Sequence, residues 1–557
     1  GMDAAPAGEG VGADGAAGRS GRAGETGRAS ESDRPSESGR PSESGRPSES
    51  GRPGESGRPG AGNPAKKFRT FLTIWFGQTV STIGSGMTAF AMSVWLFQET
   101  GNATPIALTA LSQWVPRIAL APIAGMVADR YSRKVVMILS DVLAAVSTAT
   151  AALLVLSGNL QVWHIYAVAA VAGVAGSFQV PAFTASITMI VKKEDFSRAA
   201  GLTQVTQALE AVASPLVAGI LIGPLGLAGV IFVDLATFSA AMVTLAISRI
   251  PNPMRSEQTT QEEGESALQR ILYGLRYVAA RGGLMAMMIY FALVNFAANM
   301  SMVLTSPMVL SFSDPAGLGL TQTIGGLGML AGGVVMSVWG GPKRRMLGVY
   351  LAIAVSGVGL TMMGLGASTA TVATGMFVMF ALIPLANGAA ASIWQSKVTP
   401  DVQGRVFAAR GMISTIMMPL AFGISGPLAD RFFQPLMHGA ATPPAFLSAI
   451  VGSGPGRGFA VMLVLGGTML LAATALFLLY RPLRRVEVEL PDVVDTGDDA
   501  DGHSTTADPA AAATAGPADP AVDFVPDPGE PQPVPGRPVE PTHKLVDAEP
   551  VSRVENG

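Results

Sequence analysis

Apolar and polar positions alternate along this chain in long blocks. Between Phe71 and Tyr480, mostly apolar runs of 20 or more residues are separated by short polar connections. A helix needs about 20 apolar residues to cross a hydrocarbon core ~30 Å thick. A membrane strand would instead alternate polar and apolar residues, and only a helix satisfies every backbone group within such a run. The pattern predicts an all-α integral membrane protein with twelve spans, at 71–96, 105–128, 135–157, 163–191, 199–222, 226–248, 284–310, 319–340, 346–366, 370–393, 406–429 and 459–480.

The two ends of the chain differ sharply from the middle. Residues 1–65 are rich in Gly, Ser, Pro, Glu and Arg and contain SESGRP repeats, whereas residues 487–557 are rich in Asp, Ala, Pro and Thr. Segments with so little apolar surface cannot offset the entropy of ordering, so both are predicted to be disordered tails. The remaining chain divides into an N-terminal six-helix half at 66–249, a linker at 250–283 and a C-terminal six-helix half at 284–486.

Composition excludes several kinds of chemistry. The chain has no cysteine, which rules out disulfides, zinc thiolates and a cysteine nucleophile. Its four histidines are scattered without metal-ligand spacing, and no nucleophile and base recur together. We therefore expect no enzyme activity, no cofactor, no metal and no nucleic-acid partner. The expected partners are a small-molecule substrate, protons and the lipid bilayer.

Basic residues occur in alternate connections, which predicts the orientation. Loops rich in Lys and Arg stay on the cytoplasmic side, so both termini are expected to be cytoplasmic in a multi-pass protein of the plasma membrane. Arg431 and Arg457 are the exceptions. The residues that follow the rule are Lys66, Lys67, Arg69, Arg130, Arg133, Lys134, Lys192, Lys193, Arg198, Arg249, Arg255, Arg270, Arg276, Arg281, Lys343, Arg344, Arg345, Lys397, Arg405, Arg481, Arg484 and Arg485.

The long polar connection in the middle separates six spans from six. Within it, the segment ALQRILYGLRYVAAR has apolar residues at helical spacing and arginines on the other face. This pattern predicts an interfacial helix on the inner leaflet. Two six-helix halves are the layout of many secondary transporters, which rock one half against the other around a central site.

The connection between the second and third spans, GMVADRYSRK, carries a more specific signal. Its cations would anchor any pair of helix ends to the inner leaflet. The pattern also resembles the G-x-x-x-D-R-x-x-R-K signature of the major facilitator superfamily, in the expected loop of a twelve-span chain. The matching residues are Gly125, Asp129, Arg130, Arg133 and Lys134.

That resemblance implies a conformational latch. In the family, the acidic residue of the motif faces the cytoplasmic start of helix eleven, where it meets the positive end of a helix dipole. In this chain Asp129 would then pair with the backbone near Gly404 and Arg405. The eighth connection, WGGPKRR, keeps the cations of the equivalent second-half loop but has no acid.

Four further stretches resemble the subgroup that contains macrolide efflux and siderophore export proteins. They lie at 139–146, 181–202, 338–345 and 403–432, and the similarity covers roughly residues 66–490. The fifth span also carries a weakened form of the antiporter signature G-x-x-x-G-P-x-x-G-G. Glu210 stands where its first glycine is expected, and small residues occupy the other glycine positions. The signature positions are Glu210, Ser214, Pro215, Ala218 and Gly219.

Few ionisable residues lie at membrane depth, where a charge is costly unless it faces a cavity or a partner. Arg117 and Glu210 both fall near the middle of their spans. We expect Glu210 to carry a coupling proton with Arg117 as its counter-charge; a structural ion pair is the alternative. Asp141 and Asp234 are further proton-coupling candidates, for which interhelical hydrogen bonding is the favoured alternative. Arg410 lies near the start of helix eleven.

Several amide side chains within the spans are candidates for lining a substrate cavity: Gln78, Gln113, Gln207, Asn295 and Asn299. The alternative for each is a hydrogen bond between helices. Taken together, the sequence predicts a proton-coupled exporter of a small apolar or amphipathic compound, such as a drug, a macrolide-like metabolite or a siderophore. A metabolite:proton symporter and a non-transporting membrane sensor remain alternatives.

Overall fold

The computed structural model describes residues 64–250, 267–438 and 444–489 and is helical nearly throughout. The SESGRP repeats and most of the C-terminal tail lie outside these residues. The helices of the N-terminal half are α1 (Pro64–Thr100), α2 (Thr104–Arg130), α3 (Arg133–Leu156), α4 (Val162–Ile190) and α5 (Phe196–Ile247), with a short 3-10 turn at Lys193–Asp195 before α5.

The linker and the C-terminal half are also built of helices. A π-helical turn at Ala429–Phe433 continues α11, and two short helices close the described chain. The helices are α6 (Ala267–Ala279), α7 (Gly282–Leu310), α8 (Pro315–Trp339), α9 (Arg345–Leu365), α10 (Thr369–Lys397), α11 (Pro400–Leu428), α12 (Gln434–His438), α13 (Ala445–Val451), α14 (Arg457–Leu479), α15 (Arg481–Arg484) and α16 (Val486–Glu489).

Helix α5 contains two predicted spans joined at Gly226. This glycine has φ +64° and ψ −176°, which breaks the helix without any unwound loop. Along the first arm, contacts with α1 advance in the same direction in both helices. The indole N–H of Trp75 donates to Leu202 O over 2.9 Å, and Ser214 Oγ donates to Ile83 O over 3.0 Å. The first arm is therefore parallel to α1.

The second arm of α5 runs the opposite way along a different face of α1. Thr88 Oγ1 donates to Asp234 Oδ2 over 2.7 Å near one end, and Gly77 packs on Thr244 near the other. Eleven helices among the described residues are long and apolar enough to cross a membrane, with α5 counted once. Since α5 folds back on itself, the bundle makes twelve crossings, as the sequence predicts.

Small residues bring the helices into backbone contact within each half. In the C-terminal half, a Cβ atom placed on Gly359 of α9 would lie 2.7 Å from Gly375 O of α10. The Tyr290 hydroxyl of α7 lies 2.5 Å from the Thr474 hydroxyl of α14, and both side chains are buried. Close packing and interhelical hydrogen bonds of this kind hold membrane helices together, because lipid removes the hydrophobic driving force between them.

The linker helix α6 lies against the C-terminal half. Gly274 sits directly on the backbone of Arg405 in α11, and the Arg405 guanidinium stacks over the Tyr273 ring with 4.8 Å to its centroid. The two halves meet along two helix pairs, α5 with α8 and α2 with α11. We call the side of the bundle where the Lys- and Arg-rich connections lie the basic side, and the other the opposite side.

Candidate transport pathway

On the opposite side, α5 and α8 are in backbone contact. A Cβ atom on Gly219 would lie 2.9 Å from Pro315 O and 3.1 Å from the Cα of Gly319. Deeper in the bundle, Thr323 Oγ1 donates to Val212 O over 3.0 Å. The antiporter-like signature of the fifth span therefore lies in this contact, and its small residues permit the approach.

The other helix pair, α2 with α11, is also closed on the opposite side. A Cβ atom on Gly426 would lie 2.7 Å from the Cβ of Ala107 and 2.8 Å from the Cα of Thr104. Just beyond, the Asp430 carboxylate accepts the backbone N–H groups of Ala103 (2.9 Å) and Thr104 (2.6 Å). These are the first N–H groups of α2, which have no partner within their own helix. An acid from one half thus caps a helix of the other.

Towards the basic side, the same helix pairs move apart. On α2 and α11, a Cβ atom on Gly125 or Gly404 would meet no heavy atom within 4 Å beyond its own helix backbone and chain neighbours. The same holds for Gly201 of α5 and Gly333 of α8. The backbone contacts that seal the interface between the halves therefore lie on the opposite side, and these four glycines on the basic side make none.

The predicted latch contact of Asp129 is not made in this conformation. Asp129 and Arg130 are exposed, and Asp129 forms no ion pair or hydrogen bond with the part of the chain that the structure describes. Around Gly404 there is open space, and the Arg405 guanidinium lies over Tyr273 instead. The separation of α2 from α11 on the basic side explains why Asp129 does not reach the start of α11. The latch stays a prediction for a conformation with that side closed.

The basic residues of the same motif are engaged within the N-terminal half. Lys134 Nζ donates to Ala246 O (2.7 Å) and Ser248 O (2.8 Å) at the end of α5, and Arg133 donates to Ala185 O of α4. Cations are favourable at helix C-termini because the last carbonyl groups lack partners there. These two residues tie α3 to α4 and α5.

Arg117 and Glu210 lie where the sealed part of the interface ends. Ala211, next to Glu210, contacts Gly326 of α8, and Arg117 lies on α2 between the sealed first turns and the open end. Arg117 and Glu210 form no direct ion pair, and neither side chain hydrogen-bonds to a described residue. The Arg117 guanidinium stacks over the Trp114 ring at 5.0 Å.

Two of the predicted cavity amides belong to the same region. Gln113 precedes Arg117 by four residues and Gln207 precedes Glu210 by three, so each amide shares a helix face with a charge. Neither amide side chain has a hydrogen-bond partner among the residues that the structure describes. We refer to Gln113, Arg117, Gln207 and Glu210 as the α2–α5 polar set.

Asp141 is placed differently, inside the N-terminal half. It is 5% exposed and accepts hydrogen bonds from Gln78 Nε2 of α1 (3.1 Å) and Gln179 Nε2 of α4 (3.0 Å). Gln179 Nε2 also donates to Gln78 Oε1 over 2.7 Å. This network joins three helices. Gln78 uses both its amide nitrogen and its amide oxygen in these interhelical hydrogen bonds, so it belongs to the packing of the N-terminal half.

Asp234 is also enclosed by its own half. It is 1% exposed and accepts from Thr88 (2.7 Å), Ser85 (3.3 Å) and Thr237 (3.4 Å), which joins α1 to the second arm of α5. In the C-terminal half, Asn295 donates to Phe291 O and Asn299 donates to Asn295 O, both within α7. Their amide nitrogens therefore bond their own helix.

The C-terminal half provides an apolar space near a second arginine. The Arg410 guanidinium of α11 stacks over the buried Trp394 ring at 5.6 Å. One and two turns further along α11, Ile413 and Met417 line a cavity of about 330 Å³ whose lining residues are all apolar. The other lining residues are Met288, Ile289, Ala292, Leu293, Phe296 and Met469.

Known proteins share similarity with this chain in sequence and in fold. Residues 74–422 match the model of the Major Facilitator Superfamily. Macrolide efflux protein A of Streptococcus pyogenes is 27% identical over 370 residues, 65% of this chain and 89% of that protein. The multidrug efflux pump Tap of Mycolicibacterium fortuitum is 25% identical over 379 residues, 64% of this chain and 89% of that protein.

Among solved structures, a bacterial homologue of the human lysosomal transporter Spinster, in its inward-facing and unoccupied conformation, superposes with a TM-score of 0.57 at 15% identity. The match covers 76% of this chain and 98% of that one. The predicted all-α bundle, the family resemblance and the similarity to macrolide and multidrug efflux proteins are confirmed, and a transporter rather than an enzyme follows from them. This chain belongs to the Major Facilitator Superfamily and is a multi-pass membrane transporter.

Proposed function

We propose that this protein exports a small apolar or amphipathic compound in exchange for protons by alternating access. The observation that carries this proposal is the shape of the interface between the halves, which is sealed on one side and open on the other. By the distribution of Lys and Arg, the basic side faces the cytoplasm and both termini lie there. The described conformation is then open to the cytoplasm, ready to receive its compound.

Coupling is assigned to Glu210. It lies at the boundary between the sealed and open parts of the pathway and has no hydrogen-bond partner among the described residues, unlike Asp141 and Asp234. A carboxylate at such a boundary meets one aqueous side and then the other as the halves rock, so it can take up a proton on one side and release it on the other. Arg117 stabilises its charged form when the proton has left.

The compound is assigned to the space between the halves. The amides of Gln113 and Gln207, which have no hydrogen-bond partner among the described residues, supply hydrogen bonds. The apolar cavity that α7, α11 and α14 form within the C-terminal half supplies surface for an apolar moiety. The relatives named as a macrolide efflux protein and a multidrug pump support export, and a macrolide-like metabolite, a drug or a siderophore fits the proposal.

Reconstituted liposomes test the direction and the coupling. With erythromycin as the probe, we expect an imposed proton gradient to drive the compound against the proton flow. Flow of both in the same direction would make the protein a symporter, and binding without flow would make it a sensor.

The variant Glu210→Gln tests the residue. It keeps the shape of the side chain but cannot carry a proton, so gradient-driven flux should fall to the level of empty liposomes, while exchange of labelled for unlabelled erythromycin persists. Asp234→Asn is the matched control, because its acid is enclosed by hydroxyl donors. Gradient-driven flux that persists in Glu210→Gln would refute the assignment.

A further inference from the structure

The first half of the latch motif, G-x-x-x-D-R, occurs twice in this chain. GMVADRY at 125–131 ends α2, and GPLADRF at 426–432 ends α11. In both, a glycine is followed after three residues by an aspartate, an arginine and an aromatic residue. Since α2 ends on the basic side and α11 on the opposite side, the two copies lie at the two ends of the same helix pair.

The second copy is engaged in the described conformation. Gly426 lets α11 lie directly on the first turn of α2, where any side chain would collide with the backbone of Thr104. This approach brings Asp430 within hydrogen-bond distance of two N–H groups at the start of α2. A carboxylate on unpaired N–H groups at the positive end of a helix makes short, charge-assisted hydrogen bonds.

The first copy is disengaged at the same time. Asp129 is exposed without an ion pair or hydrogen bond among the described residues, and Gly125 faces open space. The two copies are related by exchange of the helices: the copy at the end of α11 caps the start of α2, and the copy at the end of α2 is the one predicted to cap the start of α11. Inverted structural repeats produce this kind of relation, because they place corresponding helices with opposite directions in the membrane.

We propose that Gly426 and Asp430 form an outer latch, which holds the opposite side shut while the basic side is open and releases when the Gly125–Asp129 latch engages. This inference rests on the alternating access proposed above. Rocking the halves closes one end of the α2/α11 pair as it opens the other, so only one latch is engaged at a time. Asp430 thus positions the halves and touches neither proton nor compound.

The chain has no cysteine, so paired cysteines introduced for spin labels report without background. Ser157→Cys with Ala367→Cys spans the halves on the opposite side, and Lys193→Cys with Lys343→Cys spans them on the basic side; all four positions are exposed. Distance distributions are measured on the full chain in lipid nanodiscs, without compound or gradient. Asp430→Asn should increase the long-distance population of the opposite-side pair and the short-distance population of the basic-side pair.

Asp314→Asn is the matched control. Asp314 also caps a helix on the opposite side, accepting from Gly317 N over 2.8 Å, but the capped helix α8 is its own. Its substitution should leave both distributions unchanged. Equal shifts in Asp430→Asn and Asp314→Asn would show a general effect of lost charge and overturn the proposal.

Asp129→Asn supplies the test of sign. It removes the other latch, so it should shift both distributions opposite to Asp430→Asn, and the double variant should return towards the parent. Gly426→Ala should act like Asp430→Asn and covers the case in which Asp430→Asn does not fold. Unchanged distances in Gly426→Ala and Asp430→Asn overturn the latch even if Glu210-dependent flux is found. A shift without such flux leaves the latch standing and refutes the proton coupling.

Discussion

The two ends of the interface between the halves are built from the same helices, yet they differ completely. On the opposite side, Gly219 and Gly426 touch the backbone of the other half, whereas Gly125 and Gly333 on the basic side face open space. Small residues thus occur at both ends, but only one end uses them in this conformation.

Placing a large side chain in the sealed contact should have the largest effect on the balance between the conformations open on either side. In Gly219→Leu the side chain meets Pro315 O and Gly319, so the opposite side cannot close fully. Overpacking costs about 1–3 kcal/mol, which corresponds to a shift of about 5- to 150-fold towards the conformation open on that side. Spin-label distances across the opposite side measure the shift.

Gly333→Leu on α8 is the control for that variant. It adds the same side chain where the described conformation has room, so it should not open the opposite side. If both leucine variants opened the opposite side to the same extent, the contrast between the two ends would be lost.

A smaller effect is expected from Thr323→Val. It removes the hydrogen bond from Thr323 Oγ1 to Val212 O but keeps the volume, so about 1 kcal/mol and about fivefold in the balance of conformations should be lost. The same distance measurement checks it. Thr321→Val is a matched control, because that hydroxyl bonds Gly317 O within α8 and should leave the balance unchanged.

Lys134→Ala is expected to have the smallest effect on the difference between the sealed opposite side and the basic side. Its ammonium group caps the end of α5 within one half, so the loss should lower stability by roughly 0.5–1 kcal/mol without changing which side is open. Thermal unfolding in detergent measures the stability, and the distance distributions show which side is open. A clear change of distances would mean that Lys134 acts between the halves.

Part of the candidate pathway was predictable from sequence. Counting along the spans places Arg117 and Glu210 at mid-depth, and the GMVADRYSRK motif predicts a device at the end of α2. The sequence repeats the G-x-x-A-D-R pattern at the end of α11, but this repeat does not identify what Asp430 contacts. Its partners are backbone N–H groups of Ala103 and Thr104, which no sequence pattern identifies.

The direction in which each polar side chain faces around its helix could not be predicted from the sequence. Asp141 and Gln78 were candidates for the proton path and the cavity, yet they bond one another inside one half. Helix α4 has no clear apolar stripe, because lipid and protein neighbours are both apolar, so its sequence does not show which face points inwards. The linker helix α6 has an amphipathic pattern, and its sequence does indicate a face.

The sequence by itself determined the number of crossings, since the thickness of the hydrocarbon core sets the length of every span. It also determined the family, through a motif whose residues are contiguous. Only the tertiary structure decided which side of the bundle is closed and which acid meets which helix end. The lengths of the spans and the positions of the glycines do not fix which side closes, because that depends on packing between the halves and on the partner of each capping acid.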